Sequence, residues 1–415
     1  MGGGVNGGVG ANGSIPGVAA VPGELVAVDM PRGPAWFDVV VHLWNSGVAI
    51  LPLDDRLSAA EHRRIVELAR PTWVLHESGA EVFAGAPVEP GVAAIVATSG
   101  AGGAPKLAEL SREAMVAAVT ASASALGVAT SDPWVACLSP AHIGGLLVML
   151  RGAVLGNPVV VHERFDAERL VAEGPDGAHV SLVPTMLRRL VEVGANLSRF
   201  GVLLVGGDAI DPDLAESAAR SGGRVVGTYG LTETCGGVVY DGRLLDGSRV
   251  RFDGPKGEPE GEPMGGIELS GPTLMEGYRF DPAATGDSFT TDGWLRTGDA
   301  GHVSEDDLLR VDGRLDDMIR SGAEKVWPQE VERALRSHPK VGDVAVAGRP
   351  HPEWGQQVVA FVVPRVIDDP PTLKDMREHA SELIAPYKAP RELMLVPELP
   401  RTASGKLHRS ALPAS

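Results

Sequence analysis

Short apolar runs alternate along the chain with stretches whose apolar positions recur every three or four residues, the pattern of buried strands joined by amphipathic helices. Ile50-Leu51-Pro52-Leu53, Val92-Ala93-Ala94-Ile95-Val96, Trp134-Val135-Ala136-Cys137-Leu138, Val202-Leu203-Leu204-Val205 and Arg224-Val225-Val226 read as strands, as does Val180-Ser181-Leu182-Val183-Pro184-Thr185. The spacing predicts helices over 37–49, over 59–69 with Ile65 and Leu68 turned inward, and over 112–126. Between 261 and 277 glycine and proline turns cut the chain into short β segments, including Gly266-Ile267-Glu268-Leu269, and this predicts a small barrel-like β subdomain. Further on, a helix begins at Pro328, strands follow at 344–348 and 358–363, and another helix spans 373–383, a separate α+β unit. Residues 1–23, mostly Gly, Ala, Asn and Val, bury too little to fold alone and read as a tail.

Composition narrows the function. A chain of 415 residues, 44% of them hydrophobic, can bury a substantial core and suggests two or three domains. The net charge of −17, without a cluster of lysines or arginines, argues against nucleic acid and acidic membranes and points to small-molecule partners. Two cysteines, Cys137 and Cys235, far apart in apolar or glycine-rich surroundings, suggest neither a disulfide framework nor a zinc site, and fit a reducing cytoplasm. No uninterrupted apolar run is long enough to span a bilayer, and the first residues carry glycines rather than a basic-then-apolar signal.

The candidate chemistry centres on Gly227-Thr228-Tyr229-Gly230-Leu231-Thr232-Glu233-Thr234, read as a strand ending in a tight turn. Its glycines let a planar ring approach the backbone, Tyr229 can stack on that ring, Thr232 can bond a phosphate and Glu233 can hold magnesium. An ordinary strand-turn-strand with a buried tyrosine is the plainer reading. Thr98-Ser99-Gly100-Ala101-Gly102-Gly103-Ala104-Pro105-Lys106 is a glycine-rich loop whose amides can converge on one anion, with Lys106 adding charge. His142 stands at a strand end before Gly144-Gly145. Arg151, in a strongly apolar helix, needs a counter-charge or a path to water. Asp299, on a glycine turn, suits the two hydroxyls of a ribose. Lys406, beyond Gly405, can reach a carboxylate oxygen and an α-phosphate as charge shifts between them.

Taken in order, the stretches at 98–106, 227–234, 293–316 and 401–409 resemble the adenylate-forming superfamily of acyl-CoA ligases, peptide-synthetase adenylation domains and luciferases, over roughly residues 36–412. Within it, Thr228 to Gly237, Val239-Tyr240-Asp241-Gly242 and Leu245-Asp246-Gly247 are most similar to the short bacterial o-succinylbenzoate-CoA ligases.

The resemblance implies an α/β architecture: a large AMP- and acyl-binding domain over 24–313 with mixed sheets, helices and the small β subdomain, a hinge at 314–316 centred on Asp316, and a small mobile α+β lid over 317–415. Gly47, Pro52 and Asp54 match the family's segment after the first helix, and the large domain reads as shortened at its N-terminus, compatible with a homodimer. By the same resemblance Thr98, Ser99, Gly100, Gly103 and Lys106 grip the ATP phosphates, while Gly207, Asp208, Ala209, Thr228, Tyr229 and Gly230 hold the adenine. Asp299 and Arg314 take the ribose and phosphate, and Gly322 leaves room for the pantetheine arm. His142 orients the acyl group, Arg151 faces a second carboxylate, Ser181, Gly206 and Gly230 line the acyl pocket, and Thr232, Glu233 and Lys406 carry adenylation.

The implied reaction joins a small carboxylic acid to CoA through an acyl-adenylate, using ATP and magnesium. The phosphate loop departs from the family pattern, since Ala101 and Gly102 stand at two hydroxyl positions and Leu107 stands where a glycine follows the lysine. That departure opens other readings: thioester formation from a preformed adenylate, acyl loading onto a carrier protein, or a silent nucleotide-binding relative.

Overall fold

The computed structural model describes residues 19–98, 105–253, 265–322, 324–401 and 407–413. They pack into two compact units, one formed by the described residues of 1–250 and 269–295 and the other by those of 251–268 and 296–415.

The first unit holds two seven-stranded sheets. In sheet I the order is Gly277–Tyr278, Lys106–Ser111, Val92–Thr98, Ala49–Pro52, Leu25–Asp29, Trp73–His76, Gly79–Val82. In sheet II it is Arg243–Leu244, Gly236–Tyr240, Val225–Leu231, Leu203–Val205, His179–Leu182, Trp134–Ala136, Val159–Val161. The middle of each is parallel, with Leu25–Asp29 between Ala49–Pro52 and Trp73–His76, and Leu203–Val205 between His179–Leu182 and Val225–Leu231. Parallel strands are covered on both faces, which explains their unbroken apolar runs. One core contains Val26, Ile50 and Val96 of sheet I, Trp134 and Leu204 of sheet II, and the inward faces of helices Pro34–Asn45, Arg112–Leu126 and Ile143–Leu155.

Capping sets the helix limits. Ser58 and Glu61 form a reciprocal capping box at the start of Ala59–Ala69, and Ser111 accepts the Ala114 amide at the start of Arg112–Leu126, which Gly127 closes in the left-handed region at φ 67°. Three expectations are corrected. Leu68 faces solvent, and Ile65 and Ala69 form the buried stripe. The strand at 180 stops at Leu182, because Pro184 opens the helix Pro184–Glu192. Gly227 to Leu231 is not a turn but part of the strand Val225–Leu231, paired antiparallel with Gly236–Tyr240; only Thr232–Thr234 turns, as one 3-10 helix.

In the second unit a four-stranded sheet runs Arg249–Asp253, Gly265–Ser270, Leu295–Val303, Leu309–Arg314. A five-stranded sheet carries the long antiparallel pair Val341–His351 and Gly355–Pro364, and Glu392–Leu395 adds in parallel to the latter. Helices Pro328–Arg336 and Leu373–Leu383 supply Val331, Leu335, Met376 and Ala380 to its core. Arg409 ties the C-terminal segment down through Asp317, Glu332 and the Val346 carbonyl. Among the described residues no helix is long and apolar enough to cross a membrane.

Candidate active site

Ligands of parallel α/β sheets bind beyond the carboxyl ends of the strands. Ser181, Gly206 to Ala209, and Thr228 to Gly230 lie on or just after three neighbouring strands of sheet II. Close approach dictates the glycines here. A Cβ on Gly206 would lie 2.4 Å from Thr228 Oγ1, and one on Gly230 would lie 1.9 Å from the Gly236 carbonyl, beside the register shift at Tyr229 and Gly230. Gly207 adopts φ 86°, and Asp208 turns its carboxylate back to accept the Ala209 amide at 2.8 Å.

Glu233 projects from the turn that closes this strand. Thr234, fully buried, braces the turn by accepting from the Leu231 amide at 2.8 Å and donating towards the Gly236 carbonyl at 2.8 Å. The Tyr278 hydroxyl donates to Glu233 Oε1 at 2.7 Å, and Lys106 Nζ lies 4.7 Å from the centre of the Tyr278 ring. Tyr278 thus links the loop lysine to the turn carboxylate, because Gly277–Tyr278 pairs with Lys106–Ser111 at the edge of sheet I. Sequence reasoning passed over Tyr278, whose signal was an aromatic directly after the glycine of a short β segment. Thr98 stands opposite Lys106, so the two residues that bound the glycine-rich stretch are paired in register. Leu107 is buried in the core cluster that also holds Leu51 and Ile95, a position that accounts for a leucine there. Ser99, Gly100, Ala101, Gly102 and Gly103 lie outside the described residues, as does Lys406.

The second oxygen of Glu233 has no hydrogen-bond partner among the described residues, and no cluster of three His, Cys, Asp or Glu there could hold a metal unaided. A single carboxylate with one oxygen left over fits magnesium, which keeps several waters and takes further ligands from phosphate.

His142 caps the helix Ile143–Leu155, with half its side chain exposed. Its Nε2 lies 3.1 Å from Arg56 Nη2 and 3.3 Å from Asp54 Oδ2. Burial alone would raise the Asp54 carboxyl, but hydrogen bonds from Arg56 hold it well below the usual carboxylate range. A depressed carboxyl contributes stability that is complete above its unfolded value, about pH 4, and is lost as pH falls through the folded value. Urea unfolding of Asp54→Asn and wild type should therefore differ most at neutral pH, with the gap closing steadily below about pH 4; a gap that stays constant down to pH 3 contradicts the pairing.

Arg151 does not reach water; it is 3% exposed. Its Nη2 donates to Ser122 Oγ at 2.7 Å, the Tyr240 hydroxyl donates to the same oxygen at 2.8 Å, and the guanidinium stacks 4.1 Å from the Trp134 ring centre. Burial lowers its pKa, and no carboxylate pairs with it among the described residues.

In the second unit Asp299 and Arg314 face each other across the pair Leu295–Val303 and Leu309–Arg314. Arg314 Nη1 donates to Asp299 Oδ1 at 3.2 Å and to the Thr297 carbonyl at 3.1 Å. Gly298, at φ 73°, leaves the space this guanidinium fills, since a Cβ there would lie 2.8 Å from Arg314 Nη2. Asp316 is exposed in the 3-10 turn Leu315–Asp317. Gly322, at φ 65°, packs under Trp354, whose carbonyl accepts its amide at 2.8 Å.

The chain matches two family models, an AMP-binding enzyme over residues 84–279 and an AMP-binding enzyme C-terminal domain over residues 330–406. It is 37% identical over 340 residues to a probable 2-succinylbenzoate–CoA ligase of Mycobacterium tuberculosis, covering 79% of this chain and 85% of the relative. The chain belongs to the AMP-binding enzymes, the adenylate-forming acyl-CoA ligases.

Another relative of this AMP-binding enzyme, the 2-succinylbenzoate–CoA ligase of Bacillus licheniformis, is 36% identical over 77% of this chain and 69% of its own. The fold of this chain is also that of the o-succinylbenzoate CoA synthetase of Bacillus subtilis in complex with the acyl-adenylate intermediate, at TM-score 0.84 and 28% identity over 96% of this chain and 89% of that one. The same synthetase bound to ATP and magnesium superposes at TM-score 0.83 with 27% identity, over 95% and 90% of the two chains.

Proposed function

We propose that this AMP-binding enzyme joins 2-succinylbenzoate to CoA, with ATP as the activating substrate and magnesium as cofactor. The linkage of Lys106 to Glu233 through Tyr278 is the observation that carries the ATP half of this reading. It sets a cation and a carboxylate on one phenol, an arrangement suited to a magnesium-bound polyphosphate. Magnesium held at Glu233 supplies charge neutralisation for the phosphates.

In the first step the acid's carboxylate oxygen attacks the α-phosphorus of ATP, the bond to the bridging oxygen breaks, and pyrophosphate leaves. Lys106 holds the phosphates and Thr232 donates its hydroxyl to them, Tyr229 stacks on adenine, Asp299 accepts from the ribose hydroxyls, and Lys406 meets the charge that builds at the reacting centre. In the second step the CoA thiolate attacks the acyl carbon and AMP departs. The same proposal has Asp316 as the hinge that exchanges the Lys406 segment for the loop at Gly322.

The names of the relatives support 2-succinylbenzoate as the acid. Arg151 does not: at 3% exposure, stacked on Trp134 at the amino end of its strand and bonded to Ser122, it is closed to a substrate carboxylate. Incubation with ATP, CoA and a panel of aromatic mono- and dicarboxylic acids, read by mass, is expected to give a thioester from 2-succinylbenzoate and far less from monoacids. Thioesters from monoacids but none from 2-succinylbenzoate would overturn the substrate assignment.

A further inference from the structure

The histidine at the acyl side carries a feature that its motif does not specify. Asp54 follows the strand Ala49–Pro52 of sheet I, while Ser139 and His142 follow Trp134–Ala136 of sheet II, so the cluster sits where the strand ends of the two sheets meet. Asp54 is buried and heavily engaged. Its Oδ1 accepts from the Arg56 amide at 3.1 Å and from Arg56 Nε at 2.8 Å. Its Oδ2 accepts from Arg56 Nη2 at 2.6 Å and from Ser139 Oγ at 3.3 Å. The guanidinium is therefore clamped in one orientation, and Nη2 has a second hydrogen to give.

That hydrogen meets His142 Nε2 at 3.1 Å. A guanidinium nitrogen only donates, so a neutral imidazole must offer Arg56 a lone pair at Nε2 and carry its proton on Nδ1. The opposite tautomer would set two donors against each other at 3.1 Å, in exchange for a 3.3 Å contact with an oxygen that already serves two donors. His142 Nδ1 has no hydrogen-bond partner among the described residues, which leaves its N–H available to a ligand.

We infer that Asp54 and Arg56 fix His142 in the Nδ1–H tautomer, and that this N–H is the donor His142 presents to a carboxylate oxygen of the bound acid. Arg56 is then a positioning residue acting through His142. The consequence for the acid rests on the function proposed above, whereas the tautomer does not.

The test is a long-range proton–nitrogen correlation spectrum of the nitrogen-labelled full chain, at a pH where its 11 histidines are neutral, with His142 assigned by its loss in His142→Gln. The expected result is a protonated Nδ1 and an unprotonated Nε2. Arg56→Met should move the proton to Nε2 and raise KM for the acid about five- to tenfold, the weight of one hydrogen bond, with kcat and the KM for ATP little changed. Arg56→Lys, which still donates, should restore both readouts. A wild-type His142 protonated on Nε2 overturns the inference, and so does an Nδ1–H tautomer that persists in Arg56→Met. Should Arg56→Met fail to fold, the wild-type spectrum decides alone. If 2-succinylbenzoate proves not to be a substrate but Nδ1–H is found, the substrate assignment falls and the tautomer stands.

Discussion

Replacing Glu233 by glutamine is expected to slow acyl-adenylate formation by about 100- to 1000-fold, the range seen when one preorganised electrostatic group is removed from a reacting centre. The carboxamide oxygen can still accept from Tyr278, which donates to Glu233 at 2.7 Å, so the turn and its brace at Thr234 should survive. Only the charge is removed. Thermal unfolding should barely move, and thioester formation from supplied acyl-adenylate should fall much less than adenylation, because that step needs no metal on a departing pyrophosphate. Equal loss in both steps, or a large drop in thermal stability, would show that Glu233 supports the fold rather than the phosphates. Tyr278→Phe offers a graded comparison, since it removes the hydroxyl while keeping the ring beneath Lys106.

The largest effect on stability is expected at Arg279. Its side chain is 2% exposed; Nη1 pairs with Glu109 at 3.1 Å, Nε donates to the Ala69 carbonyl and Nη2 to that of Ala86, each at 2.7 Å. Arg279→Met leaves the Glu109 carboxylate without its ion-pair partner and strips the buried Ala69 carbonyl and the part-buried Ala86 carbonyl of a donor, at a cost of about 3–5 kcal/mol in urea unfolding of the first unit. The amide of Arg279 donates to the Leu107 carbonyl at 2.8 Å and continues the pairing of Gly277–Tyr278 with Lys106–Ser111, so loss of the clamp should also loosen Tyr278 beneath Lys106. Adding Glu109→Gln should recover part of the loss, because it removes the uncompensated charge. A single-variant loss below about 1 kcal/mol would contradict the clamp.

Local signals made some of the fold legible. The helices 59–69, 112–126 and 373–383 have the limits their caps and periodicity predict, because Ser58, Ser111, Gly127 and Thr372 act on residues within one turn. Leu68 misled because periodicity identifies a stripe but not its centre, and the stripe here runs through Ile65 and Ala69. The strand Leu25–Asp29 was missed because it follows a featureless tail and is defined by its neighbours at 49–52 and 73–76 rather than by its own five residues.

The site divides in the same way. Tyr229, Glu233 and Asp299 were candidates from the sequence because their chemistry is packed into a few consecutive positions. Their supporting residues were not. Tyr278 lies 45 residues from Glu233, Arg56 lies 86 from His142, and Glu109 lies 170 from Arg279, so only the folded sheets bring them together. Arg151 shows the limit of a helical pattern: it flagged an arginine needing compensation, but not the stack on Trp134 or the shared hydroxyl of Ser122.

The central claim is that this chain activates a carboxylic acid as its adenylate, and pyrophosphate release from ATP in the presence of 2-succinylbenzoate, with CoA withheld, tests it most directly. The account predicts release that depends on the acid and on magnesium, approaches one equivalent per active site, and is suppressed by Glu233→Gln. No pyrophosphate under these conditions, together with thioester formation when acyl-adenylate and CoA are supplied, would contradict it and leave the chain as a catalyst of the second step alone.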